Sequence, residues 1–357
     1  MPFPYRKNPH YDDAVSEMNQ NLIDQGVIQS HQSRYHNGFN LLNAFFFPEV
    51  SQTRLVTLSK MIDFFFLCDD IYDTSQRNGS DQELVAELLT TNVEILRTGR
   101  LPRHPDALNL FAWRTGQEFA KIQTPLQRRR LADSVEDYLL KGSLELMKFW
   151  HCGEVPDVRT YREIRQYDVA MYATIDVTEL AGGIEIPEFI YQDPILRRLR
   201  REANLQVAMA NDILSYHKEV IRDQCPFNMV HIVSRQRGKG LEQAVLEVAD
   251  MVNEHTCAFL EFESKVPSWG KALDADVQTY IQGMKDLMGG NWYWSLECNR
   301  YSSADSPFVE LRTTPQLLRH KSKGHLVHEY PQSRARRRGL TGSADILPFE
   351  AKVRTGS

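Results

Sequence analysis

Phe64-Phe65-Phe66-Leu67-Cys68-Asp69-Asp70-Ile71-Tyr72-Asp73 ends an apolar run with three carboxylates in five positions. On a helix, Phe66, Asp69, Asp70 and Asp73 fall at i, i+3, i+4 and i+7, which is one face. Like charges so placed repel by about a few tenths of a kcal/mol per close pair. Something positive should offset that repulsion. Hard divalent cations take oxygen ligands, and magnesium commonly binds through one or two carboxylates plus substrate phosphates. The plain alternative is a helix C-terminus whose acids are solvated. An acid cluster directly after three phenylalanines points instead to the mouth of an apolar pocket.

The helical reading extends in both directions. Leu55 to Tyr72, Leu84 to Leu96, Ala107 to Ile122, Leu126 to Trp150, Tyr161 to Leu180, Asp193 to Ile221, Leu241 to Phe262 and Asp274 to Tyr301 carry apolar residues at three- and four-residue spacing. Gly and Pro sit mainly between these segments, as in Gly99 to Pro105 and Gly183 to Pro187. Alternating β-branched runs are scarce. The pattern predicts an all-α fold, one domain of roughly ten or more helices spanning residues 1–301. Residues 302–357 read as a basic, loosely packed tail holding Arg334 to Arg338.

The 357 residues are 42% hydrophobic, enough for one sizeable core. No run of eighteen apolar residues occurs, so nothing predicts a membrane span. Residues 1–11 lack a basic-then-apolar secretory pattern. The five cysteines are scattered, odd in number and without metal-ligand spacing. A reduced, cytoplasmic setting is the expectation. The net charge of −5 hides an asymmetry. From Ser302 onward ten Lys and Arg face five Asp and Glu, so residues 1–301 carry −10. A nucleic-acid enzyme usually shows the opposite sign over its body, and no nucleic-acid partner is expected.

A second polar stripe lies in Asn211-Asp212-Ile213-Leu214-Ser215-Tyr216-His217-Lys218-Glu219. Asn211, Ser215 and Glu219 recur at i, i+4 and i+8 and supply an amide oxygen, a hydroxyl and a carboxylate. Such a set can hold one magnesium, with waters or phosphate oxygens completing an octahedron. Lys218 and Arg222 lie at the edge of the stripe, within reach of phosphate oxygens. The plain alternative is the polar face of a surface helix. Against it, Ala208, Met209, Ala210, Ile213 and Leu214 make the same helix strongly apolar, and a buried polar stripe needs partners.

With both clusters in place, the chain resembles a class I terpene synthase of the microbial type. That family carries Asp-Asp-x-x-Asp upstream of Asn-Asp-x-x-Ser-x-x-x-Glu, facing each other across a helical barrel. Here the two are 138 positions apart from Asp73 to Asn211. Arg300-Tyr301, at the end of the last predicted helix, resembles the family's diphosphate-gripping Arg-Tyr pair. Arg165-Gln166-Tyr167-Asp168-Val169 resembles its diphosphate-sensor segment, where an Arg precedes a linker Asp by three and an effector residue by four. The effector position is Val169 where many relatives have Gly; the family uses the backbone carbonyl there. Asn8-Pro9-His10-Tyr11 resembles the N-terminal strip, here residues 1–20, that folds over the closed site. The resemblance spans about residues 4–301 and leaves out the tail.

The resemblance implies the chemistry. Asp69 and Asp73 would hold two magnesium ions, supported by Asp70, and Asn211, Ser215 and Glu219 a third. Arg165, Lys218, Arg300 and Tyr301, with Arg222 a lesser candidate, would donate to the diphosphate of an isoprenyl substrate. Phe65, Phe66, Tyr72 and Trp294 are candidates for stabilising the carbocation. Leu287, Trp294 and Tyr301 are spaced by seven, which predicts one helix face with the indole below Tyr301. The expected substrate is the C15 farnesyl diphosphate, with C20 geranylgeranyl diphosphate the alternative; homodimers are common in the family. The rivals are a prenyl chain-elongating synthase, which normally carries a second aspartate-rich motif, and a non-enzymatic helical binding protein.

Overall fold

The computed structural model describes residues 1–24, 38–78 and 82–312, apart from the side chains of residues 70–78, 82 and 309. The basic run Arg334 to Arg338 lies outside the described residues. Fourteen α-helices follow one another among those described, with no β-strand. They are α1 Tyr11–Asp24, α2 Phe39–Phe46, α3 Gln52–Asn78, α4 Gln82–Thr98, α5 Ala107–Phe119, α6 Pro125–Asp137 and α7 Leu144–Cys152. After them come α8 Val158–Asp168, α9 Met171–Gly182, α10 Glu188–Tyr191, α11 Pro194–Tyr216, α12 Met229–Arg237, α13 Leu241–Glu263 and α14 Lys271–Glu297. The fold is all-α, as the periodicity predicts. No described helix is long and apolar enough to cross a membrane.

Helix starts follow side-chain chemistry. Asp106 and Thr124 form reciprocal capping boxes with Asn109 and Gln127, satisfying backbone donors that the first turn leaves open. Asp157, Asp193 and Asn228 cap α8, α11 and α12 in the simpler one-way manner.

The core is laid around α11, which packs on α13, α14, α12, α8 and α9. On its other side α14 meets α2 and α9, while α3 meets α1, α2 and α5. The approach of α9 to α14 is close because glycines face threonines there. A Cβ on Gly283 would sit 2.8 Å from the Thr178 Cβ, and one on Gly182 would sit 2.7 Å from Thr279 Cγ2. Between α6 and α9, Arg130 donates to Glu179 at 3.1 Å, with both side chains almost fully buried. Gln127 Nε2 donates to the second Glu179 oxygen at 3.1 Å, so the buried charge is hydrogen-bonded as well as paired.

The structure departs from the periodic segments in informative places. Tyr161 to Leu180 is two helices rather than one: the chain breaks at Ala170, which adopts left-handed φ 56°. Leu126 to Trp150 and Asp193 to Ile221 run on without a break, but each contains a π-helical turn, at Tyr138–Ser143 and His217–Arg222. The last helix stops at Glu297, so Arg300 and Tyr301 sit on the loop beyond it instead of on its final turn. Packing does not end at Tyr301. Phe308 and Leu311 are buried, and Phe308 meets Tyr216 edge-on with centroids 6.4 Å apart.

The N-terminal strip is anchored on α2 and α14. Asn8 Nδ2 donates to the Phe47 and Val50 carbonyls at 2.7 and 2.9 Å, and Tyr293 donates to the Phe3 carbonyl at 3.2 Å. None of residues 1–20 is among those that line the cavity described next.

Candidate active site

A cavity of about 180 Å³ opens inside the helical barrel. Its walls come from α2 (Leu42, Phe46), α3 (Ile62, Phe65, Phe66, Asp69), α7 (Leu146, Trp150), the α8–α9 junction, α11, α14 and the loops after α11 and α14. Most of this lining is apolar or aromatic and buried. Several of the polar lining residues are hydrogen-bonded to one another, and the Asp69 carboxylate is 37% exposed. The cavity is thus polar where it meets solvent and apolar within.

Asp69 lies 4.0 Å from the Arg300 guanidinium. Next to it, the Tyr301 hydroxyl accepts from Asn211 Nδ2 at 3.1 Å. The Asn211 Oδ1 accepts from Arg165 at 2.9 Å, and Arg165 also donates to Asp212 at 2.9 Å and Asp168 at 3.0 Å. Burial alone would lower the Arg165 pKa, but Asp212, Tyr161 and Asp168 hold it well above the ordinary value, so it stays charged. Burial pushes Asp168 up to about 6 although Arg165 opposes the rise. Burial likewise raises the Tyr301 phenol, which stays a neutral hydroxyl.

The end of α8 is set by close packing. Gly142, in the first π-turn, lies so near Asp168 that a Cβ there would sit 2.5 Å from its backbone nitrogen. Ser143 Oγ adds a 3.3 Å hydrogen bond to the Asp168 carboxylate. The chain then turns through Val169, which lines the cavity, into the left-handed Ala170. A non-glycine residue held in that region costs about 1 kcal/mol or more, and such strain gathers at functional sites.

The second stripe is only partly α-helical. Asn211 and Ser215 lie on α11, whereas Lys218, Glu219 and Arg222 lie in the wider π-turn. Ser215 Oγ is buried with no hydrogen-bond partner among the described residues. Lys218 lines the cavity and pairs with Asp223 at 2.9 Å. Burial would raise the Asp223 carboxyl, but Arg222 and Lys218 hold it below its ordinary value. Arg222 stands apart from the rest. It is half-exposed, pairs with Asp223 at 3.0 Å and does not line the cavity.

Aromatic residues crowd below the polar network. Phe66 stacks on Phe39 with centroids 3.9 Å apart and lies 6.2 Å from Trp294. Trp294 meets Tyr301 edge-on at 5.4 Å although Tyr301 has left the helix, so the seven-residue spacing predicts the contact for the wrong reason. The Trp294 Nε1 donates to the Gly38 carbonyl at 2.8 Å. Arg300 lies over Phe39 at 4.9 Å and Phe66 at 5.7 Å. Phe65 meets Tyr138 edge-on at 5.8 Å. The side chains of Asp70, Tyr72 and Asp73 lie outside the described residues; their backbone belongs to α3.

Sequence reading passed over Tyr138, Asp212 and Asp223. Asp212 is fully buried and joins α8, α11 and α12 by accepting from Arg165 at 2.9 Å and from the Met229 backbone at 2.7 Å. Its place beside Asn211 was the available clue. Tyr138 and Asp223 fall outside any motif.

Residues 60–256 match the family model described as terpene synthase family 2, C-terminal metal binding. The chain belongs to this terpene synthase family. It is 29% identical over 322 residues to sesquiterpene synthase 6 of Postia placenta, covering 88% of this chain and 92% of that one. To sesquiterpene synthase Agr1 of Cyclocybe aegerita it is 26% identical, covering 88% and 90%. Among solved structures, a-eudesmol synthase superposes with a TM-score of 0.75 at 21% identity, covering 83% of this chain and 97% of that one. A linalool/nerolidol synthase from Streptomyces clavuligerus, solved with 2-fluorogeranyl diphosphate, superposes with a TM-score of 0.73 at 19% identity, covering 82% and 97%. These two establish the same all-α fold. As a class I terpene synthase the chain is an enzyme, a terpene cyclase that uses a divalent metal and an isoprenyl diphosphate.

Proposed function

We propose that this terpene synthase is a magnesium-dependent cyclase that ionises farnesyl diphosphate and closes the carbocation to a sesquiterpene. The observation that carries the reading is the hydrogen-bonded chain Tyr301–Asn211–Arg165–Asp168, with Asp69 and Arg300 4.0 Å apart on the same aromatic-lined cavity. A diphosphate belongs at the polar end and a hydrocarbon chain in the apolar interior. The C15 preference is supported by the sesquiterpene synthases that the chain resembles along most of its length.

The residues suit a hard cation. Asn211, Ser215 and Glu219 offer three kinds of oxygen, and the buried Ser215 hydroxyl is unpartnered among the described residues. Asp69 opens the second set, which Asp73 and Asp70 would complete for a total of three ions. When bound, the metal supplies Lewis-acid stabilisation of the leaving diphosphate. The chain's own donors add to that. Arg165 and Arg300 can each take two phosphate oxygens, while Lys218 acts as a point charge. The Tyr301 hydroxyl accepts from Asn211, which leaves its proton to donate to the diphosphate. The Val169 carbonyl, at the strained α8–α9 junction, is the group through which Arg165 and Asp168 would convey diphosphate binding to the cavity.

The carbocation then meets Phe65, Phe66 and Trp294, whose ring faces stabilise a desolvated cation by roughly 0.5–2 kcal/mol each. Exclusion of water protects it from quenching. The test is substitution at the two metal sets. Asp69→Ala and Glu219→Ala should each abolish diphosphate release while leaving the helical circular-dichroism spectrum unchanged. Full turnover in either purified variant removes that residue from the mechanism.

A further inference from the structure

The Glu219 carboxylate is not aimed by its own helix. Asn211 and Ser215 ride on α11, but Glu219 falls in the π-turn His217–Arg222. The wider i→i+5 turn takes it off strict α-helical register, and such turns recur at functional sites. What fixes it lies nine residues on. Asn228 is completely buried at the cap of α12. Its Nδ2 donates to Glu219 Oε2 at 3.0 Å and to the Asp212 carbonyl at 2.7 Å. Its Oδ1 accepts from the Val230 backbone at 3.0 Å. Both amide protons and one Oδ1 lone pair are engaged, so the side chain is held on three sides.

We propose that Asn228 is a positioning residue. It clamps one Glu219 oxygen so that the other, Oε1, faces a divalent cation shared with Asn211 and Ser215. The inference rests on reading that triad as a metal set. Three observations support it. Oε1 has no hydrogen-bond partner among the described residues, whereas Oε2 is taken. The Cys225 backbone donates to the Glu219 carbonyl at 2.8 Å, so main chain and side chain of Glu219 are held from the same loop. The neighbouring Met229 amide donates to Asp212 at 2.7 Å, and Asp212 holds Arg165. One short segment, Asn228-Met229, therefore orients a candidate ligand and a candidate diphosphate donor together. Partners that orient metal ligands commonly change affinity about 10–100-fold when removed.

The test measures metal binding apart from turnover. Manganese serves as the spectroscopic probe: free Mn2+ is followed by electron paramagnetic resonance as the full-length protein is titrated with inorganic diphosphate present. Asn228→Ser is the variant of choice, since serine retains a helix-capping oxygen but is too short to reach Glu219. The expected result is about 10–100-fold weaker binding of the weakest Mn2+, with a metal-free melting temperature close to that of the native protein. Half-maximal diphosphate release should need correspondingly more metal, and saturating metal should restore the maximal rate. Native Mn2+ affinity in Asn228→Ser overturns the inference and leaves the metal reading standing. A loss of affinity that merely tracks a lower metal-free melting temperature assigns Asn228 a structural role and also overturns it. No Mn2+ binding by the native protein removes the metal set and the inference with it.

Discussion

Replacing Gly142 by alanine should disable the site from outside it. The added Cβ would lie 2.5 Å from the Asp168 nitrogen, 2.6 Å from its Cα and 2.9 Å from the Tyr167 carbonyl carbon. All three are backbone atoms, so no side chain can swing aside. Restoring an ordinary contact of 3.4 Å requires the end of α8 to retreat by about 0.9 Å. Overpacking of this kind costs about 1–3 kcal/mol of stability. The functional loss should be larger. Arg165 and Asp168 share that helix end, Val169 follows it, and a misplacement of about 1 Å can cost roughly 10²-fold in rate. The assay pairs a thermal melt with steady-state diphosphate release from farnesyl diphosphate. Gly240→Ala is the control, since a Cβ there meets nothing within 4 Å. A Gly142→Ala enzyme that melts and turns over like Gly240→Ala would refute the claim that this contact sets the junction.

Two further substitutions probe the core and the cavity. Asp63 is buried on α3, and burial pushes its carboxyl up to about 8 against the opposing charge of Lys60. Between the ordinary carboxyl value of 3.8 and about 8 the folded chain keeps a proton that the unfolded chain has lost, so this group lowers stability as pH rises through that window. Asp63→Asn should remove most of that decline, a difference of about 4 kcal/mol between pH 5 and pH 8, read by denaturant unfolding at the two pH values; parallel pH profiles would count against it. Trp294→Phe keeps an aromatic ring beside Phe66 and Tyr301 but drops the bond to Gly38. It should alter the product mixture more than the rate of diphosphate release, and an unchanged product profile would leave Trp294 as packing alone.

How much of this was legible in the sequence depended on what kind of information each feature carries. Helix α3 and its acidic end were readable because periodicity and local charge are both short-range. The polar stripe on α11 was readable for the same reason, up to Ser215. Beyond it the π-turn changes the register, which no spacing rule anticipates; Lys218 and Glu219 line the cavity and Arg222 does not. The break at Ala170 was invisible because alanine is a strong helix former; tertiary packing at Gly142 and Asp168 overrides that preference. Helices α1, α2, α10 and α12 were missed. Three of them, α2, α10 and α12, are short, with eight, four and nine residues, and owe their stability to burial rather than to pattern. Asp212, Asp223 and Asn228 act through partners distant in sequence or across a turn, so only the folded chain reveals them.

The central claim is tested most directly by gas chromatography–mass spectrometry of the products. Purified protein is incubated with magnesium and, separately, C10, C15 and C20 isoprenyl diphosphates, each with a chelator control. The account predicts a cyclic C15 hydrocarbon or alcohol that disappears with chelator. Longer linear diphosphates, or cyclic C15 product formed equally well with the metal removed, would contradict it.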